Sequence, residues 1–130
     1  MTRLLAIAAA GALGAVARYG LSGFAQRWFP PSFPGGTLVV NTLGCFLAGL
    51  LAALLLDRWP VGPTTRAALL IGFLGAFTTF STFANETLAL AREGGELRAA
   101  LNVVLSVVLG LGAAWAGAAL ASLAGPGSSA

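Results

Sequence analysis

"GFLGAFTTFSTFANE", residues 72–86, decides how this chain is read. It lies in an otherwise apolar stretch, yet Thr78, Thr79, Ser81 and Thr82 place four hydroxyls around Phe80 and Phe83. Gly72 and Gly75 come just before them. Glycines followed by Thr and Ser weaken helical propensity in mid-segment, so a local break is expected there. A break frees carbonyl oxygens, which are tolerated at membrane depth only when buried or ion-bound. Phe80 and Phe83 would occupy neighbouring positions on one helical face. An isolated FxxF is equally an ordinary piece of core or lipid-facing packing.

The rest of the chain identifies the solvent. Of 130 residues, 58% are hydrophobic and 8% are charged, against about 25% charged in a soluble domain. Such a chain cannot cover a water-facing surface. Residues 4–24, 37–56, 67–90 and 101–123 each reach the roughly 20 mostly apolar residues that a transmembrane helix requires. Between them lie "QRWFPPSFPGG" (residues 26–36), "DRWPVGPTTR" (57–66) and "REGGELR" (92–98), which hold most of the charges and breakers. Trp28, Phe29 and Trp59 fall at segment edges, where aromatic rings favour the headgroup interface. The spacers leave no room for a second domain. The expected fold is all-α: one four-helix transmembrane domain over residues 1–124, its third helix broken near the middle, and a flexible tail at 125–130. Arg3, an apolar run and "AVA" (residues 15–17) imitate a signal peptide. Continuation of the run past that point, and its interruption by Gly11 and Gly14, argue for a retained helix.

All seven basic residues are arginine, and the net charge is only +3. No basic patch with interleaved aromatics is present, so nucleic-acid binding is not expected. Cys45 stands alone, with neither a disulfide partner nor zinc-ligand spacing, and reads as a small apolar helix residue. Four spans place both termini and the second loop on one side, with Arg3, Arg58 and Arg66; Arg27, Arg92 and Arg98 fall opposite. Three against three leaves almost no positive-inside bias. Insertion in both orientations, with an antiparallel dimer as its consequence, is one expectation. A single topology settled by something other than charge is the other.

Polar side chains in lipid must find partners or line a wet cavity. Here they are Arg18, Asn41, the four hydroxyls, Asn85, Glu86, Asn102 and Ser106. Asn102 and Ser106 share one face of the fourth segment, as Thr82 and Glu86 do on the third. Taken singly, each has a plain explanation: Ser and Thr bond back to their own helix, and Asn glues helices together. Polar patches on three segments make coincidence a poorer account. Small residues in "GALGAVAR", "GCFLAG" and "GLGAAWAG" allow close helix approach, which specifies packing more than function. Catalytic parts are missing: there is no His, no second Cys, no Asp within a span, and no base beside Ser81. What remains is hydrogen-bond donation by Asn, Ser and Thr, a nearby Arg, and phenylalanine edges, the positive side of the ring quadrupole. That set suits a small, hard anion.

"GALGAVARY" (residues 11–19), "GTLVVNTLGCFLAG" (36–49), "GFLGAFTTFSTFANE" (72–86) and "NVVLS" (102–106) together resemble the small dual-topology fluoride channels, Fluc, also called CrcB. The third block is highly specific, and the order and spacing of the others agree over nearly the whole chain. The resemblance implies a passive fluoride export pathway in a bacterial-type cytoplasmic membrane, built as an antiparallel homodimer with two pores along its interface. By that likeness Phe80 and Phe83 present ring edges to fluoride, Asn41 donates an amide hydrogen, and Ser106 lines the same path. Thr79, Ser81, Thr82 and Glu86 form a polar track, and Arg18 sits near an aqueous vestibule. The likeness also implies a central structural sodium ion held by backbone carbonyls at Gly75 and Thr78, and hard oxygen donors suit such a cation. A small proton-coupled multidrug exporter is the competing class, but it wants a carboxylate in the first helix, where this chain has Arg18. A structural subunit would use the glycines and have no use for the Asn, Thr and Phe constellation.

Overall fold

The apolar segments fold as helices, because only a helix satisfies its own backbone hydrogen bonds without water. A computed structural model describes residues 1–57 and 61–123. The interfacial position expected for Trp59, the charge of Arg58 and the tail at 125–130 lie outside the described residues. α1 spans Thr2–Gln26, α2 spans Gly35–Asp57 and the last helix, α6, spans Glu96–Leu123. The third passage is composite. It comprises α3 (Pro63–Ala67), a π-helical stretch (Ala68–Phe73), α4 (Leu74–Phe77) and α5 (Phe80–Arg92). Among the described residues four passages are long and apolar enough to cross a membrane.

Gly72 and Gly75 are themselves helical, in the π-helical stretch and in α4; the two residues outside helix are Thr78 and Thr79. Gly72 has a packing reason: a Cβ there would sit 2.6 Å from the Ile7 carbonyl oxygen of α1. Its small size therefore serves the approach of α1 more than any loosening of the backbone.

α2 packs chiefly against α6, and α1 against the third passage. The α2–α6 seam is reciprocal. A side chain at Gly49 would collide with the Ala114 carbonyl, and one at Gly117 would collide with the Phe46 carbonyl. Backbones in lipid approach this closely because dispersion, not water release, drives helix association. Cys45 points its sulfur at the same seam, 3.4 Å from where a Cβ on Gly110 would lie.

The loops are tied by identifiable bonds. Gln26 spans the proline-rich connection: its Nε2 donates to the carbonyls of Pro30 (3.3 Å) and Phe33 (2.9 Å), and its Oε1 accepts from the Gly36 N–H (2.9 Å). One side chain thus closes the end of α1 onto the start of α2, where proline supplies no N–H. At the other tight turn Gly94 takes φ +74°, with Gly94 N–H donating to Ala91 and Gly95 N–H to Leu90. This is the Schellman arrangement, and it favours glycine at the left-handed position. Arg66 Nη2 donates to the Leu55 carbonyl (2.9 Å) near the end of α2, where a cation also meets the negative end of the helix dipole.

Few large side chains are buried within one chain; Val40, Leu55 and Phe77 are among them. Leu5, Val16, Val108, Leu111 and Trp115 are 62–76% exposed, an apolar exterior suited to lipid or to another membrane helix. The seam gives a direct expectation. Gly117→Val should abolish monodisperse folded protein in detergent, whereas Gly112→Ala, with open space around its Cβ position, should leave it intact. Size-exclusion profiles compare the two, and equal behaviour would remove the seam from the account.

Candidate functional site

The chain leaves helix after Phe77. Thr78 has φ −91°, ψ 155° and Thr79 has φ −148°, ψ 111°, both extended. Interrupting a helix inside a membrane orphans backbone groups, and each must be satisfied within the protein. Asn41 on α2 does this for Thr79: its Nδ2 donates to the Thr79 carbonyl at 3.0 Å, and its Oδ1 accepts the Thr79 N–H at 2.8 Å. The side-chain amide reproduces what a neighbouring peptide unit would offer. Thr79 also caps α5, its Oγ1 accepting from Thr82 N–H at 3.2 Å and donating to Thr82 Oγ1 at 2.8 Å. Ser81 Oγ lies 3.4 Å from the same hydroxyl. Thr78 closes α4 with its own N–H and Oγ1, each 3.0 Å from the Leu74 carbonyl. Its methyl fills the space left by Gly44 on α2, where a Cβ would collide with it.

These bonds redirect donors. In a continuous helix the Thr79 and Thr82 N–H groups would go to the carbonyls of Gly75 and Thr78. Here Thr79 N–H goes to Asn41 and Thr82 N–H to Thr79 Oγ1. The Ala76 carbonyl receives Arg18 Nε at 3.0 Å. Among the described residues no group of three or more His, Cys, Asp or Glu side chains converges as a metal site. The carbonyls of Gly75 and Thr78 are left without the donors a continuous helix would give them.

Asn41, Thr79, Phe80, Phe83 and Ser106 line one cavity of about 550 Å³, which Gly75 and Thr78 also border. The Phe80 and Phe83 ring centroids are 5.5 Å apart with planes at 50°. Phe80 is 80% exposed in a single chain. Gly75 and Ser81 are exposed and Ser106 half-buried. Arg18 and Glu86 line a different, open-sided cavity of about 930 Å³ with Tyr19, Arg27, Thr37 and Glu93. Glu86 Oε1 accepts from Thr37 Oγ1 at 2.9 Å, while its Oε2 is buried without a hydrogen-bond partner. Thus the residues expected on one path fall in two chambers. Thr82, between them in sequence, lines neither cavity and is joined to Thr79.

Some expected neighbours separate. Asn85 is exposed, and Asn102, one turn from Ser106, turns away from both cavities to donate from Nδ2 to Thr87 Oγ1 at 2.8 Å. Thr37 and Thr87 escaped the sequence reading as partners. Neither threonine stands out by spacing or motif, and only the fold reveals that each meets a polar group on a neighbouring helix.

Four passages able to cross a membrane, one of them interrupted and satisfied there by side chains beside a chamber lined by amide, hydroxyl and phenyl groups, define a multi-pass membrane protein. The family model described as CrcB-like protein, Camphor Resistance (CrcB), matches residues 5–118, and the chain belongs to that family. It is 54% identical over 91% of its length to a Methylococcus capsulatus protein named fluoride-specific ion channel FluC, of which it spans about half (52%). Proteins bearing the same name from Desulforapulum autotrophicum and Citrifermentans bemidjiense are 50% and 49% identical over 90% of this chain and 94% of their own.

Replacing Asn41 by Leu leaves a donor and an acceptor of Thr79 unpaired. At about 1–3 kcal/mol for each orphaned group, the loss is expected to approach 3 kcal/mol or more. Equilibrium unfolding in mixed micelles measures it, and a change under about 0.5 kcal/mol, the scale of an ordinary surface substitution, would contradict the clasp.

Proposed function

We propose that this protein is a fluoride-selective channel that lets fluoride leave the cell passively across a bacterial-type cytoplasmic membrane, lowering fluoride toxicity without any catalytic step. The observation that carries the reading is the meeting of Asn41, Thr79, Phe80, Phe83 and Ser106 on one cavity. It occurs in a chain about half identical to proteins named as fluoride-specific channels. A halide leaving water loses its hydration donors. Ser106 hydroxyl, the second amide hydrogen of Asn41 and the ring edges of Phe80 and Phe83 replace them. Small donors placed close together favour the smallest halide and give larger anions a poor fit. Thr79, Ser81 and Thr82 continue the polar track along the start of α5, and Glu86 with Thr37 borders it on the side of the larger cavity. Arg18 has one guanidinium nitrogen engaged with the Ala76 carbonyl and still lines that cavity; in this reading the cavity is the vestibule, and the positive charge draws anions into it.

The working unit is an antiparallel homodimer with two pores along its interface, and the third passage is broken near its middle at Thr78 and Thr79. Two features support this. The near-even arginine distribution gives neither orientation an advantage. The exposed Phe80, Ser81 and Gly75 lie beside polar groups that lipid cannot satisfy, so a second copy is their natural cover. Sodium at the dimer centre, held by the carbonyls of Gly75 and Thr78, fits the same picture. Both carbonyls have lost their helical donors to Asn41 and Thr79, and hard oxygens are the donors such a cation takes. Bound there, the ion would supply the positive charge that satisfies them.

Liposomes containing only this protein should release fluoride rapidly, retain chloride and need no proton gradient; proton-driven cation transport would reject the channel. Phe80→Ile and Phe83→Ile should each slow fluoride release by about tenfold, near 1.4 kcal/mol, with the dimer still folded. Unchanged release in both would take the rings out of the mechanism. Replacing sodium with N-methylglucamine should lower the thermal unfolding temperature, and titrated sodium should restore it as a ligand bound to the native state would. Identical melting in both salts would remove the ion.

A further inference from the structure

Asn102 is 1% exposed and lines neither cavity, yet it has a polar partner on the helix that carries Phe83. Its Nδ2 donates to Thr87 Oγ1 at 2.8 Å, and the Thr87 hydroxyl donates its single proton to the Phe83 carbonyl at 2.7 Å. Because that proton is committed, the hydroxyl can only accept from Asn102, which fixes the direction of the relay. The relay also sets register. α5 and α6 are joined by the tight turn at Gly94 and run antiparallel. Phe83 lies one turn before Thr87 on α5, and Ser106 one turn after Asn102 on α6. Pairing Thr87 with Asn102 therefore sets Phe83 across from Ser106, and both line the 550 Å³ cavity. α5 needs such a pin because Thr78 and Thr79 uncouple it from α4.

We propose that Asn102 and Thr87 are positioning residues, whose hydrogen bond holds α5 against α6 in the register that places Phe83 opposite Ser106 in the anion path. This rests on the reading of Phe83 as a pathway residue. Neither residue touches the ion; their effect passes through the ring.

The test is fluoride efflux from liposomes. Thr87→Val alone leaves the Asn102 amide buried and unpaired, so the main variant combines Thr87→Val with Asn102→Leu, exchanging both polar partners for apolar groups. This pair should elute as the wild-type dimer and release fluoride about tenfold more slowly, a size comparable to other positional effects on reactive or binding geometry. Thr87→Ser keeps the hydroxyl and should retain wild-type release. Adding Phe83→Ile to the pair should cost no more than Phe83→Ile alone, because contacting residues couple non-additively. Wild-type release in a folded pair variant, equal loss in Thr87→Ser and Thr87→Val, or losses that multiply would each overturn the proposal. A wild-type protein that passes no fluoride, or a silent Phe83→Ile, would instead overturn the pathway reading and the pin with it.

Discussion

A backbone group at membrane depth has no water to turn to, and Thr79 is the residue where this constraint is most exposed. Its N–H and carbonyl have both left the helix, and both are taken by the side-chain amide of Asn41. Several consequences follow from that exchange. α5 can begin afresh at Phe80 with Thr79 as its cap. The rings of Phe80 and Phe83 line a cavity instead of continuing the face of α4. The Gly75 carbonyl is left without its helical donor, on an exposed part of the chain. Without the clasp, an interruption in this position would be an uncompensated cost in lipid.

The scaffold around the clasp is built from small residues. Glycines at 49 and 117 let α2 and α6 approach backbone to backbone, which carries Asn41 and Ser106 to the same cavity. Gly14 and Gly72 do the same for α1 and the third passage, where their side chains would strike Phe73 and Ile7 carbonyls. That approach brings Arg18 within 3.0 Å of the Ala76 carbonyl. Polar contacts thus hold the third passage from three directions: Arg18 from α1, Asn41 and Thr37 from α2, and Asn102 from α6. In the proposed channel, a second copy closes the side that remains open.

The four membrane passages were legible in the sequence because length and apolar composition alone specify them. Helix ends moved by only a few residues. The meeting of Asn41, Phe80, Phe83 and Ser106 was legible because the TTFSTF block and its companions are so specific. Three features were not. The exact point of interruption was one: Gly72 and Gly75 are themselves helical, Gly72 being small where it meets α1, and the chain leaves helix only at Thr78, three residues after Gly75. Asn41 reads equally as a donor to an ion or as helix glue, and only the fold shows both arms of its amide on Thr79. Asn102 and Ser106 share a helical face by spacing, but Thr87 on α5 draws Asn102 away from the cavity. Spacing gives the face on one helix; which partner waits across from it depends on the register of the next.

The central claim is that a polar path between these helices carries fluoride and excludes other ions without an energy source. Its most direct measurement is the reversal potential of purified protein in a planar bilayer, with opposed gradients of fluoride and chloride at matched pH. Reversal at the fluoride equilibrium potential, unmoved by changes in chloride or protons, is the predicted result. Reversal that follows chloride or pH, or a bilayer that carries no current, would contradict the account.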